Sequence, residues 1–297
     1  MRDPVPAAEN PFVPGNQTAY RQWRESKLEG YPERLEQLVV EIRNPLQLSA
    51  AERKAVLHRI GKCNMALYVS TLGGDPDKES IRALGQQFGL QRLDHNMCAD
   101  DDAISSLKIQ PDALHRGYIP YTDRPIAWHT DGYYNDLDQQ ILGLILHCVV
   151  PASKGGANQL LDHELVFMQL HDLNPDFTRA LMHPATMTIP ANRSDGRELR
   201  PARSGPVFLI LPGGQLHMRY TDRSRSIEWR DDALTAEAVS ELKRILKKPS
   251  PYHFEGTLQA GQGLICNNVL HTRSRFENAG SERLLYRARY FDRIGGS

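Results

Sequence analysis

Two hydrophobic rhythms divide the chain. Up to about residue 90, apolar positions recur at helical spacing between short apolar runs; beyond it, brief apolar runs alternate with Gly, Pro, Asn and Asp turns. In the first part, YRQWRESKLEGYPERLEQ (20–37) predicts a helix broken near Gly30 and Pro32, and LVVEIRN (38–44) a strand. SAAERKAVLHRIGK (49–62) predicts a helix in which Ser49 and Glu52 form a capping box. MALYVS (65–70) reads as a strand, and 77–88 as a helix entered through Pro76 and Asp77.

The second part predicts strands at HRGYIPY, PIAWHTD, QILGLILHCV, NQLLDH, RALMHPATMTIP, VFLILP, LHMRYTD, PYHFEGTLQ, GLICNN and LLYRARYF. Helical stretches interrupt them near 163–171 and 235–248. This is the pattern of an all-β sandwich or barrel, so the expected fold class is mainly β with flanking helices. Residues 1–18, rich in Pro and Asn, predict an extended arm. No linker divides the remainder, so 19–297 reads as a single domain with a helical N-terminal flank.

Composition narrows the partners. Of 297 residues, 40% are hydrophobic and 24% charged, ordinary for a soluble globular chain. Lys plus Arg equals Asp plus Glu at 36 each, which gives no overall basic field for nucleic acid or an anionic membrane. The opening MRDPVPAAENPFVPG lacks the apolar core of a secretory signal, and ILGLILHCVV (141–150) is too short to span a bilayer. Cys63, Cys98, Cys148 and Cys266 form no CxxC pair and read as buried free thiols rather than a disulfide framework. Together these features predict a cytoplasmic protein; a homo-oligomer stays open.

Candidate chemistry enters at WHTDGYYN (128–135). His129 and Asp131 are two apart, and on a strand residues i and i+2 share a face, so both can reach one point. That suits a metal ion or an ordinary histidine–aspartate hydrogen bond. His271, in GLICNNVLHTRSRFE, would complete a two-histidine, one-carboxylate set, the facial triad of non-haem Fe(II) oxygenases. Eleven histidines make such a set easy to meet by chance. The arginines of RLLYRARYF shift the balance, because an inward-facing guanidinium needs an anion and binds a carboxylate bidentately.

With these pieces in view, the chain resembles the TauD/TfdA-like family of Fe(II)/2-oxoglutarate-dependent dioxygenases, of the clavaminate synthase-like group. WHTDGYYN is similar to its histidine-x-aspartate motif, CVVPASKGGANQLLD (148–162) to its Gly-Gly-x-Thr segment, NNVLHTRSRF to its distal-histidine segment and RLLYRARYF to its closing arginine strand. LHMRYTDRSR (216–225) resembles the carnitine-biosynthesis hydroxylase branch more weakly. The resemblance covers 90–293 and implies a double-stranded β-helix (jelly roll) core. It implies that His129, Asp131 and His271 ligate Fe(II), that Arg287 clamps the distal carboxylate of 2-oxoglutarate, and that Arg283 lies near its chelating end. Asn158 stands where the family has threonine. The arginine spacing is one residue longer than in the taurine branch, so Arg283 and Arg289 both remain candidates for the minor role.

The implied activity is oxidation of a C–H bond of a small molecule by O₂, with 2-oxoglutarate converted to succinate and CO₂, and with no catalytic residue beyond the metal ligands. Because Asp131 fills the position that halogenating relatives vacate, the resemblance argues against halogenation. The rival readings are a zinc-dependent hydrolase at the same triad and a non-catalytic 2-oxoglutarate sensor. Substrate contacts are sought at Tyr133, with its neighbour Tyr134, and at Arg219. The segment PANRSDGRELRPAR (190–203) reads equally as a charged lid or a solvated basic loop. His147, His163 and His217 read as structural, and Trp128 as a packing residue.

Overall fold

The fold is taken from a computed structural model that describes residues 9–70, 77–95, 100, 102–110, 118–194, 197–223 and 227–295. Cys98, the first eight residues of the expected arm, residues 195–196 of the candidate lid, and 224–226 lie outside the described residues, as does the Arg197 side chain. The described part is mostly β with six α-helices, numbered below in chain order. It divides into two compact units: Met1–Tyr31, Trp128–Gln140 and Leu161–Ser250 form one, and Pro32–Ala127, Ile141–Leu160 and Pro251–Ser297 the other.

In the second unit, β1 (Val39–Ile42) pairs parallel with β2 (Met65–Ser70). Antiparallel pairing then continues through β16 (Gln262–Cys266), β5 (Gly143–Val150) and β19 (Leu284–Tyr290) to β3 (Ile104–Leu107). The central place of β5 explains its largely apolar run GLILHCVV, interrupted by His147 and buried up to its last residue. Helices α2 (Ala50–Cys63) and α3 (Lys78–Gln86) supply Val56, Ile60, Ile81 and Leu84 to a core shared with Tyr68, Ile145, Ile265 and Tyr290. A four-stranded sheet runs in the order β15 (Phe254–Gly256), β7 (Asn158–Leu161), β17 (Leu270–Arg273), β4 (Ile126–His129), and β6 (Lys154–Gly155) pairs with β18 (Phe276–Glu277).

The capping box of α2 is present. The Ser49 hydroxyl accepts from the Glu52 amide at 3.2 Å while the Glu52 carboxylate accepts from the Ser49 amide at 2.7 Å. Ser49→Ala is expected to destabilise the protein by about 1 kcal/mol, read as a lower urea midpoint at unchanged slope. An unshifted midpoint would mean that the cap contributes nothing to the folded state.

The first unit holds α1 (Gln17–Leu28), α4 (His163–Leu173), α5 (Pro175–Leu181) and α6 (Ala233–Lys247). In it, β8 (Met187–Ile189) lies between β11 (Arg203–Gly205) and β14 (Glu228–Trp229); β9 (Asn192–Ser194) pairs with β10 (Arg197–Arg200), and β12 (Phe208–Ile210) with β13 (Leu216–Met218). Residues 9–16 form turns rather than free extended chain, and Phe12 is buried edge-on against Trp23 and Phe167. Lys27 is sunk between Asp162 and Glu164, at 2.7 and 2.5 Å, and so ties α1 to the start of α4.

Two strand expectations need correction. In HRGYIPY the described residues Ile119–Tyr121 form a 3₁₀ turn with Pro120 inside it. In RALMHPATMTIP the residues RAL end helix α5, and strand begins only at Met187. The helix signal is local: Asn174 caps the Asp176 amide at 3.0 Å and Pro175 stands at N1. Cys63, Cys148 and Cys266 are buried free thiols. No helix among the described residues is long and apolar enough to cross a membrane.

Candidate metal and co-substrate site

Strand β4 ends at His129, and Asp131 lies in the turn that follows, where Gly132 takes φ +67° and the Asn135 amide closes onto the Gly132 carbonyl at 2.8 Å. A shared strand face is therefore not what joins the pair. The turn does so, leaving His129 Nε2 3.5 Å from Asp131 Oδ1 with both side chains buried. The backbone here is held from the side by YTD at 220–222. His129 bridges to Thr221, the Thr130 amide donates to the Tyr220 carbonyl at 3.0 Å, and the Asp222 amide donates to the Trp128 carbonyl at 2.8 Å. The Tyr220 amide in turn donates to the Thr130 hydroxyl at 3.1 Å. None of these bonds uses the His129 imidazole.

In the second unit, His271 sits on β17 between β7 and β4 and is buried, its Nδ1 3.0 Å from the Val269 carbonyl. A proton on Nδ1, donated to that carbonyl, puts the lone pair on Nε2, the nitrogen left to face a metal. The strand is entered through Asn268, at φ +48°, whose amide donates to the Ile141 carbonyl at 2.6 Å.

The Gly-Gly segment has a steric reason. Gly155 and Gly156 both take φ +74°, and a Cβ on Gly155 would lie 2.2 Å from the Arg275 carbonyl oxygen. This close turn borders a recess lined by Pro151, Ala152, Gly155, Gly156, Asn158 and Arg283 among others. Asn158 donates to the Thr272 carbonyl at 2.7 Å, so its amide nitrogen also braces the strand that carries His271.

Arg283 is 4% exposed, and among the described residues its guanidinium meets no carboxylate or carbonyl acceptor; it packs over the Phe276 ring, 4.8 Å from the centroid. Burial lowers its pKa to about 10, so it stays charged at neutral pH. Arg273 stacks on the same ring at 5.0 Å and spends its donors on the carbonyls of Ile119, Pro120, Thr122 and Arg124. Burial, then the charges of Arg283 and Arg287, press Arg273 down to about 9. Arg287 is buried on the same strand face as Arg289, which the structure pairs with Asp94. Of the two candidates for the minor role, Arg283 lines the recess and Arg289 has a carboxylate of its own.

The substrate candidates separate as clearly. Tyr133 and Tyr134 are half-buried with ring centroids 5.2 Å apart, edge to face. Arg219 is 1% exposed and donates to the carbonyls of Met187 at 3.0 Å and Arg203 at 2.8 Å. A guanidinium used this way braces β8 against β11. Arg273 and the 220–222 brace escaped the sequence reading. For Arg273 the signal was its place two residues after His271; for the brace it was the resemblance at LHMRYTDRSR (216–225), which does not reveal partners 90 residues away. His147 meets the Tyr68 hydroxyl at 2.9 Å and His163 the Leu216 carbonyl at 3.1 Å.

His129, Asp131 and His271 are each buried, and two imidazoles with a carboxylate are a ligand type suited to ferrous iron. The chain belongs to the taurine catabolism dioxygenase TauD, TfdA family, whose model matches residues 29–289. It is thus a dioxygenase dependent on Fe(II) and 2-oxoglutarate that acts on a small molecule. Among curated proteins it is similar to a uridine-5'-phosphate dioxygenase of Amycolatopsis sp, 29% identical over 192 residues that make up 63% of this chain and 67% of the relative. It is also similar to a uridine-5'-phosphate dioxygenase of Streptomyces sp, 31% identical over 57% of this chain and 62% of that one. Among solved structures, asparagine oxygenase in complex with Fe(II), 2S,3S-3-hydroxyasparagine and succinate shares the fold, with TM-score 0.58, 15% identity and coverage of 82% of this chain and 80% of that one.

Proposed function

We propose that His129, Asp131 and His271 hold the Fe(II), that Arg283 and Arg287 receive the carboxylates of 2-oxoglutarate with Asn158 beside them, and that the sheets form a double-stranded β-helix around this centre. The unbroken family match over 29–289 supports reading 19–297 as one family domain. The three metal candidates are buried, each offers one ligand atom, and the set is chemically apt for ferrous iron.

The observation that carries the co-substrate assignment is the Arg283 guanidinium, desolvated, charged and, among the described residues, without a carboxylate or carbonyl acceptor, in a recess that Asn158 also lines. A buried charge in that state is costly until an anion joins it, and a carboxylate answers a guanidinium with two parallel bonds. Fe(II), when bound, would activate O₂ as the oxidant, with two electrons supplied by conversion of 2-oxoglutarate to succinate and CO₂ and two by the substrate C–H bond. The residues of this chain do the positioning. Arg283 and Arg287 fix the co-substrate, Asn158 and the Val269 carbonyl orient the strand and ring of His271, and the 220–222 brace fixes His129 and Asp131. For the substrate, the names of the two curated relatives point to a small molecule that bears a phosphate.

The test is an anaerobic titration of the metal-free protein with Fe(II) and then 2-oxoglutarate, followed by visible absorption. A weak metal-to-keto-acid charge-transfer band is expected, and it should be absent from His129→Ala. Bound iron without such a band would overturn the co-substrate assignment.

A further inference from the structure

The guanidiniums of the first unit form a second cluster that the iron and 2-oxoglutarate chemistry does not use. The turn at 133–137 lies against β11 at two points. Asp136 Oδ1 bonds Arg203 Nε at 2.6 Å, and Leu137 packs so closely on Gly205 that a Cβ there would sit 2.9 Å from its methyl carbon. Arg200, at the end of β10, is anchored by the carbonyls of Pro190 at 2.6 Å and Pro201 at 2.7 Å. Arg219 donates to the Arg203 carbonyl at 2.8 Å. Among the described residues, Asp136 is the one carboxylate in salt-bridge contact with any of these three cations. Burial and the charge of Arg203 lower the Arg200 pKa, while Tyr133, Tyr134 and Asp136 oppose the shift, so these groups share one electrostatic neighbourhood.

We propose that Arg200 and Arg203, with the hydroxyl of Tyr133, form a subsite for a phosphate monoester of the substrate. This rests on the reading of the chain as an oxygenase of a small molecule. Three features favour a phosphate dianion. Arg200 keeps three of its five N–H donors beyond its bonds to Pro190 and Pro201, and with the Arg203 guanidinium these match its several oxygens. The cluster carries an excess of positive charge over carboxylate. The Arg203–Asp136 pair is 29% and 42% exposed, a half-solvated contact of the kind that contributes little and exchanges readily. Asp136 thus occupies Arg203 in the free protein and yields it to the stronger anion. Position also fits: Tyr133 is two residues from Asp131, a chain distance of at most about 7 Å, so a phosphate held here leaves the rest of a nucleotide-sized molecule within reach of the ligand turn.

The experiment is calorimetric binding to the full chain loaded anaerobically with Fe(II) and 2-oxoglutarate, with uridine 5′-phosphate and uridine as probes and inorganic phosphate as competitor. The phosphorylated probe is expected to bind at least about tenfold more tightly than uridine, and phosphate to compete. Arg200→Gln and Arg203→Gln should each reduce that preference, Arg200→Lys should keep part of it, and Asp136→Asn should raise it by freeing Arg203. The Fe(II)–2-oxoglutarate absorption band should persist in all of them. A wild-type band without preference for the phosphorylated probe, or a preference that survives both glutamine variants, would overturn the subsite and leave the oxygenase reading intact. A preference that obeys these variants in a protein without the band would support the subsite and overturn the co-substrate assignment instead.

Discussion

His129→Ala is expected to lose its iron and, with it, all substrate-coupled succinate formation. Loss of an outer partner of a metal ligand already costs 10- to 100-fold in affinity, so removal of a ligand should exceed about 100-fold. The structure makes this a clean experiment. The segment around His129 is fixed by backbone groups and by the Thr130 hydroxyl, and the imidazole takes no part in those bonds. Alanine can therefore keep the bridge to Thr221 and the bond from the Tyr220 amide while removing one donor. Iron content per chain, succinate yield and the thermal midpoint should be measured together. An unchanged midpoint with iron and succinate lost is the expected triplet. Full succinate yield at unchanged iron content would remove His129 from the centre and leave the buried pair with Asp131 as a structural contact.

What the sequence made legible follows the range of the interactions. The Ser49–Glu52 box and the Asp77 cap are decided within four residues, and both were read correctly. The buried strand at GLILHCVV was legible because His147 is the one polar side chain on its two faces. The histidine-x-aspartate pair was found for the wrong local reason, since a glycine turn rather than a strand face brings Asp131 to His129. Helix α5 was missed although Asn174 and Pro175 announce it, because the β-prone residues after it dominated the window. Contacts distant in sequence were beyond reach. Arg219 looks like any strand arginine until β8 and β11 surround it with carbonyls, and Arg289 is set apart from Arg283 by its pairing with Asp94, 195 positions earlier. A guanidinium's role depends on which acceptors arrive around it, and those are properties of the fold.

That dependence yields a contrast within one strand and its lead-in. Arg283→Ala and Arg287→Ala are each expected to weaken 2-oxoglutarate binding by about 30- to 1000-fold, the range of roughly 2–4 kcal/mol for truncating one side of a buried, hydrogen-bonded charge pair. In the ligand-free state Arg283→Ala should leave stability nearly unchanged or raise it, because the desolvated guanidinium it removes has no carboxylate or carbonyl acceptor among the described residues. Arg289→Ala should behave in the opposite way. It strands the buried carboxylate of Asp94, so the protein should lose stability while the surviving folded fraction binds 2-oxoglutarate as before. Arg283→Lys tests the geometry, since a single ammonium keeps the charge without the planar fork and should restore only part of the affinity. The measurements are anaerobic 2-oxoglutarate titrations at fixed Fe(II), paired with urea midpoints for each variant. Wild-type 2-oxoglutarate affinity in both Arg283→Ala and Arg287→Ala would show that the co-substrate is held elsewhere. The buried cluster on Phe276 would then be a strained element of the fold, its charge balanced by something other than the dicarboxylate.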